Sequence, residues 1–206
     1  MIAWSEPSAP FELPPGPLDL YQSIQRLEPG AWVAAHTHEG PESGVVLAAS
    51  LARHENGETR MFAAGTTFCT PGGVVHATGN PGALPAEAIT LHVVRAGSAF
   101  STPCACASAP LPQPGSTNPA RSIVRTLTIA ARTLRARHAR IVLSASETLA
   151  PETALPVIVT VLDGAVRIGA EIVRAPDFRL VRAPAALEPL TSAPAVLLTM
   201  LEPENA

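Results

Sequence analysis

Apolar and polar positions alternate along this chain in short runs, and a turn signal ends each run. LYQSIQRL is followed by EPG, AWVAAHTH by a Gly-Pro turn, and SGVVLAASLAR by HENGE, before AITLHVVRAG closes the stretch near Phe100. A period of two marks strands with one buried face. Asn56-Gly57 between two such runs predicts a β-hairpin, because a type I′ turn needs positive φ at both central positions. The pattern resumes from Arg121 in SIVRTLTIA, ARIVLSA, LPVIVTVLDGAVRIG, FRLVRAP and AVLLTML. Helical periodicity is nearly absent. Many short strands with frequent turns predict an all-β chain of two tandem jelly-roll barrels.

The same pattern suggests four segments. Residues 1–17 hold five prolines and read as an N-terminal arm. Residues 18–100 form the first barrel. Residues 101–120, rich in proline and uncharged before Pro119, read as a linker. Residues 121–206 form a second β-rich half of similar size, which suggests a duplicated domain.

Composition narrows the function classes. Hydrophobic residues make up 47% and charged residues 15% of the 206, so a folded core is expected rather than disorder. Net charge is −3 and every one of the 14 cations is arginine, which removes Schiff-base lysine chemistry. Six arginines fall between residues 121 and 140, but IVRTLTIA alternates as a strand with one solvated face and lacks aromatic partners for bases. Nucleic-acid binding is therefore not expected. No apolar run reaches the ~20 residues of a membrane span, and the first residues lack a signal-peptide pattern. Cys69, Cys104 and Cys106 are an odd set with one CxC, unlike a disulfide framework. A cytoplasmic location is the expectation.

The candidate chemistry lies in HTHEGPE, residues 36–42. His36 and His38 are two apart on a strand, so both rings point to one face. Glu42 opens the next strand after a Gly-Pro turn and comes back beside them. A closing ligand is offered by GTTFCTPGGVVHATGN, residues 65–80, expected to form a hairpin in which a tight Pro71–Gly73 turn leads into a returning strand that begins at His76. His92, in the strand AITLHVVRAG, is a candidate outer partner or a packed core residue. His54 is expected to face solvent, as is Glu39, and Cys69 to be a buried, inert thiol. Trp32 and Phe68 are expected to pack in or line the barrel.

These two stretches resemble the cupin superfamily. Its first motif is matched by Gly30, His36, His38 and Glu42, with Ala49 where a glycine is expected. Its second motif is matched by Gly65, Pro71, Gly73, His76 and Asn80 without departure. The resemblance implies a jelly-roll (double-stranded β-helix) barrel with His36, His38, Glu42 and His76 on one divalent transition metal. Fe, Mn, Ni, Zn and Cu all suit three imidazoles and a carboxylate. Ala49 at a strand end bears on turn geometry more than on ligation.

The second half is cupin-like in a weaker way. Gly164 in VLDGAVRIG parallels the end of VVLAAS, and counting back puts Pro151, Thr153 and Val157 where His36, His38 and Glu42 stood. The second barrel is thus expected to be degenerate and without a metal. Two functions follow. One is a metal-dependent enzyme on a small molecule, dioxygenase-type in preference to a decarboxylase or isomerase. The other is a non-catalytic small-molecule-binding or sensing module in which the metal holds ligand or fold. A small-molecule ligand or substrate is the expected partner in both, and a homodimer is compatible with either.

Overall fold

The computed structural model describes residues 4–104, 116–127, 132–149, 156–182 and 184–204, with backbone alone considered for 116–127. Among these residues all regular structure is β-strand. Backbone packing divides the chain into two units, Phe11–Thr133 and Met1–Pro10 with Leu134–Ala206. Among the described residues no helix is long and apolar enough to cross a membrane.

The strands of the first unit are β1 (Phe11–Glu12), β2 (Leu18–Leu27), β3 (His36–Thr37), β4 (Glu42–Ala48), β5 (Ser50–Glu55), β6 (Glu58–Ala63), β7 (Thr67–Thr70), β8 (His76–Gly79), β9 (Ala86–Arg95), β10 (Thr102–Pro103) and β11 (Ser116–Leu127). Strands β2 to β11 form one sheet of order β11-β2-β9-β4-β7 and another of order β10-β3-β8-β5-β6. All resolved pairings are antiparallel. The two faces meet over Leu27, Val46, Leu51, Phe68 and Ala88. The Asn56-Gly57 turn joins β5 to β6 with φ of 52° and 82°, as its sequence predicts.

The second unit holds β12 (Thr133–Val142), β13 (Glu147–Leu149), β14 (Val157–Asp163), β15 (Ala165–Ile168), β16 (Glu171–Arg174), β17 (Phe178–Val181), β18 (Ala185–Pro189) and β19 (Ala195–Pro203). Its sheets run β12-β19-β14-β17 and β13-β18-β15-β16. Those orders repeat β2-β9-β4-β7 and β3-β8-β5-β6 strand for strand, so both units are jelly rolls of one design. Val157, Val159, Val166, Val196 and Leu198 are at the centre of the second core.

Three expectations need correction. The strand Ser116–Leu127 pairs with Leu18–Leu27, and the packing division falls after Thr133 rather than at Arg121. The arm is not separate either: Ser5 and Ser8 donate backbone N–H groups to the carbonyls of His138 and Ala136. Prolines hid both pairings, because they break the alternation from which strands are read. Residues 65–80 are not a hairpin. The β7 strand pairs with β4 in one sheet and β8 pairs with β5 and β3 in the other, so Pro71–Gly73 turns the chain from sheet to sheet. Cys106, Pro151 and Thr153, with the centre of the expected linker, lie outside the described residues.

Candidate metal centre

Cross-strand register assembles the site. His36 on β3 lies opposite His76 on β8, and Glu42 on β4 lies opposite both Thr70 and His92. Residues paired across an antiparallel ladder share a face, so these side chains all point into the first barrel. Close backbone approach holds the strand ends in place. A Cβ on Gly40 would collide with the carbonyl oxygen of Val93, and one on Gly72 with that of Glu39. Asn80 is fully buried and its amide donates to the carbonyls of Leu27 and Leu84, both at 2.8 Å.

Three imidazoles are aimed by the same device. Nδ1–H of His36 donates to the carbonyl of Ala34 at 2.7 Å, that of His38 to Phe100 at 2.6 Å, and that of His76 to Val74 at 3.1 Å. A proton on Nδ1 leaves Nε2 as a bare lone pair. The Nε2 atoms of His38 and His76 are buried and without a hydrogen-bond partner. The three rings lie with centroids 4.4 to 5.3 Å apart. Burial and neighbouring imidazoles push His36 down to about 4, and burial lowers His38 against the pull of Glu42, so both are neutral near pH 7.

Glu42 is fully buried. Burial alone would raise its carboxyl, but Arg53, then His92 and His76, hold it well below the usual carboxylate range. Its Oε2 accepts from Arg53 Nη2 at 2.7 Å and lies 3.1 Å from His76 Nε2. Two lone-pair atoms at that separation repel unless a cation joins them. The distance is that expected between neighbouring ligands about 2.1 Å from one ion. Orphaned imidazole nitrogens beside an ionised carboxylate therefore fit a divalent metal. Nitrogen and oxygen donors fall into two groups with mutual distances within 4.8 Å: His36, His38 and His76, and His38, Glu42 and His92. His38 belongs to both.

His92 points into the same space, with its centroid 4.3 Å from that of His38. Its Nε2 is 2.9 Å from Thr90 Oγ1, which is 2.7 Å from Ser23 Oγ, while Nδ1 is buried without a partner. A cavity of about 160 Å³ opens beside His36, His38 and His92 and is further lined by Gln25, Val33 and Phe100.

Arg53, Gln25 and Phe100 join the site without having been singled out by spacing or motif. Arg53 lies in LARHE, where Leu51, Ala52, Arg53 and His54 are all buried and alternation fails. An arginine that directly follows the apolar run VVLAASLA was the available signal. His54 was expected at the surface, yet it is buried with Nδ1 2.9 Å from Thr59 Oγ1. Glu39 is exposed and pairs with Arg95 at 2.8 Å. Burial pushes the Cys69 thiol up to about 12, which keeps it protonated. Phe68 packs under Arg53, 4.5 Å from guanidinium carbon to ring centroid, and Trp32 covers Gly79.

Among the described residues, the second barrel carries apolar side chains where the first has Glu42, Thr70 and His92. Val157 pairs with Val181 and Met200 as Glu42 pairs with Thr70 and His92. Val157, Val181 and Met200 all belong to its hydrophobic core.

A family profile described as Cupin domain matches residues 23–94. This stretch, about a third of the chain, is a cupin domain. No curated protein matches the chain by sequence. Among solved structures it is similar to oxalate decarboxylase from Bacillus subtilis, with 12% identity over 90% of this chain and 68% of that one, TM-score 0.58. Salicylate 1,2-dioxygenase from Pseudaminobacter salicylatoxidans is 15% identical over 91% and 75% of the two chains, TM-score 0.51. AerE from Microcystis aeruginosa is 15% identical over 96% and 97%, TM-score 0.55. At these identities the likeness is one of fold, and it extends over both barrels.

Proposed function

We propose that this cupin is a small-molecule enzyme whose N-terminal barrel holds one divalent transition metal on His36, His38, Glu42 and His76. Dioxygenase-type chemistry is the favoured reaction, with decarboxylation and isomerisation as the nearest alternatives. The observation that carries the reading is the unpartnered, buried Nε2 of His38 and of His76, the latter facing ionised Glu42 Oε2 at 3.1 Å beside a cavity. Leaving such polar atoms without a partner costs about 1–3 kcal/mol each, a penalty that a bound cation removes. When bound, the ion supplies Lewis acidity and, for a redox-active metal, a place to activate dioxygen.

The residues of the chain have separable tasks in this reading. The backbone carbonyls of Ala34, Phe100 and Val74 fix the tautomer of each ligand histidine, so that Nε2 faces inward. Arg53 keeps Glu42 ionised and oriented through a short, buried contact. His92 has its unpartnered Nδ1 in the barrel and its ring against the cavity, where a hydrogen bond to a ligand would satisfy it. Val33, Phe100 and Pro103 give the cavity beside the histidines an apolar wall.

Elemental analysis of the purified chain, followed by oxygen uptake over a panel of small molecules, tests the proposal. One divalent ion per chain and substrate-dependent oxygen consumption are expected. A chain that takes up no ion even on reconstitution would sink it. Stoichiometric metal with no turnover in oxygenation, decarboxylation or isomerisation assays would instead assign a binding or sensing module.

A further inference from the structure

Gln25 faces the interior of the first barrel from β2, where Tyr21, Ser23 and Gln25 lie opposite His92, Thr90 and Ala88. Its side chain is 6% exposed, and its carbonyl Oε1 is buried with no hydrogen-bond partner. Ser23, two residues earlier on the same face, is satisfied by Thr90. Gln25 also lines the cavity that reaches His36, His38 and His92. Buried polar groups in native proteins nearly always have a partner, so an acceptor left open in a cavity wall marks a place where a ligand donor docks.

The remaining wall sets the ligand's character. Val33, Ala34, Ala35, Phe100 and Pro103 supply apolar surface, and Ser101 adds one hydroxyl. Among the described lining residues there is no arginine, aspartate or glutamate. The nearby cation Arg53 is committed to Glu42, Glu55 and Thr70 and does not reach the lining. A volume of about 160 Å³ is close to the roughly 150 Å³ of an apolar cavity that accepts benzene.

We infer that this cavity takes an uncharged, single-ring-sized ligand that donates one hydrogen bond to Gln25 Oε1. The inference deepens the function proposed above and rests on it for the meeting of ligand and metal.

Phenol and benzene serve as probes, with binding to the full chain measured by calorimetry or ligand-observed NMR and metal content measured in parallel. Phenol is expected to bind about fivefold to tenfold more tightly than benzene, the usual worth of one hydrogen bond. The substitution Gln25→Met keeps length and removes the acceptor. It should bring the phenol-to-benzene ratio close to one while metal content stays unchanged. Should that variant fail to fold, Gln25→Leu provides the same comparison. A ratio indifferent to residue 25 would overturn the inference. One ion per chain without any phenol preference removes this inference alone. A Gln25-dependent preference in a chain that holds no ion removes the metal reading alone.

Discussion

The guanidinium of Arg53 donates to Glu42 Oε2 at 2.7 Å, and both side chains are almost wholly buried, 1% and 2% exposed. Arg53 also donates to Thr70 at 2.7 Å, to Thr78 at 3.3 Å and to Glu55 at 3.2 Å. This makes Glu42 a carboxylate with one face toward the histidines and a permanent cation behind it. The pair lies beside the candidate centre, not at the surface, so salt does not screen it.

Removing the cation therefore affects both fold and metal. Arg53→Met leaves Glu42 buried without its counter-charge, which should cost about 3–5 kcal/mol in chemical denaturation. Metal affinity should fall about 10–100-fold, because an oriented ligand loses its support. The double variant Arg53→Met with Glu42→Leu should regain part of the lost stability and bind no metal at all. A single variant as stable as the parent would show that the ion pair is inconsequential.

The proposed ligands separate by burial. His36 is half-buried, whereas His76 is 2% exposed. His36→Ala should lower metal occupancy with little change in the denaturation midpoint. His76→Ala should lose stoichiometric metal and, by leaving a buried cavity, about 2–4 kcal/mol of stability as well, with the β signal in circular dichroism retained. Elemental analysis beside circular dichroism checks both, and full metal content in either variant contradicts the assignment.

Ala49 sits between β4 and β5 at a φ of 57°, while Gly164 sits between β14 and β15 at 75°. The two barrels share this turn, and the first uses a residue with a Cβ where left-handed backbone costs roughly 1–2 kcal/mol. Ala49→Gly should relieve that strain, less the entropy glycine loses on folding, for a net gain of about 0.5–1 kcal/mol. A denaturant midpoint that falls on this substitution would refute the account.

How far the sequence spoke for the site depended on range. His36, His38, Glu42 and His76 were legible because their spacing combines with strand period and turn chemistry within 45 residues, and Glu42 and Val157 occupy matching register positions in the two barrels. Arg53, Gln25 and Phe100 were not legible. Their roles depend on long-range pairings, such as Phe100 carbonyl with His38, 62 residues apart, which no local pattern encodes. The unit boundaries failed for a related reason. The strand Ser116–Leu127 contains Pro119 and joins a partner about 100 residues earlier, so local composition described it as a linker.

The second barrel holds a buried imidazole of its own. His138 on β12 is buried, with Nδ1 3.0 Å from Thr199 Oγ1 and Nε2 lacking a partner. Burial pushes its imidazole down from 6.5 to about 4. The folded chain therefore holds it neutral where the unfolded chain takes up a proton. Stability from this group is complete above pH 6.5, declines as pH falls, and is gone below about 4. That difference is worth on the order of 3 kcal/mol. His138→Leu should flatten the pH dependence of unfolding between pH 6.5 and 4, as followed by urea denaturation across that range. An unchanged slope would show that His138 is not the acid-labile group of this barrel.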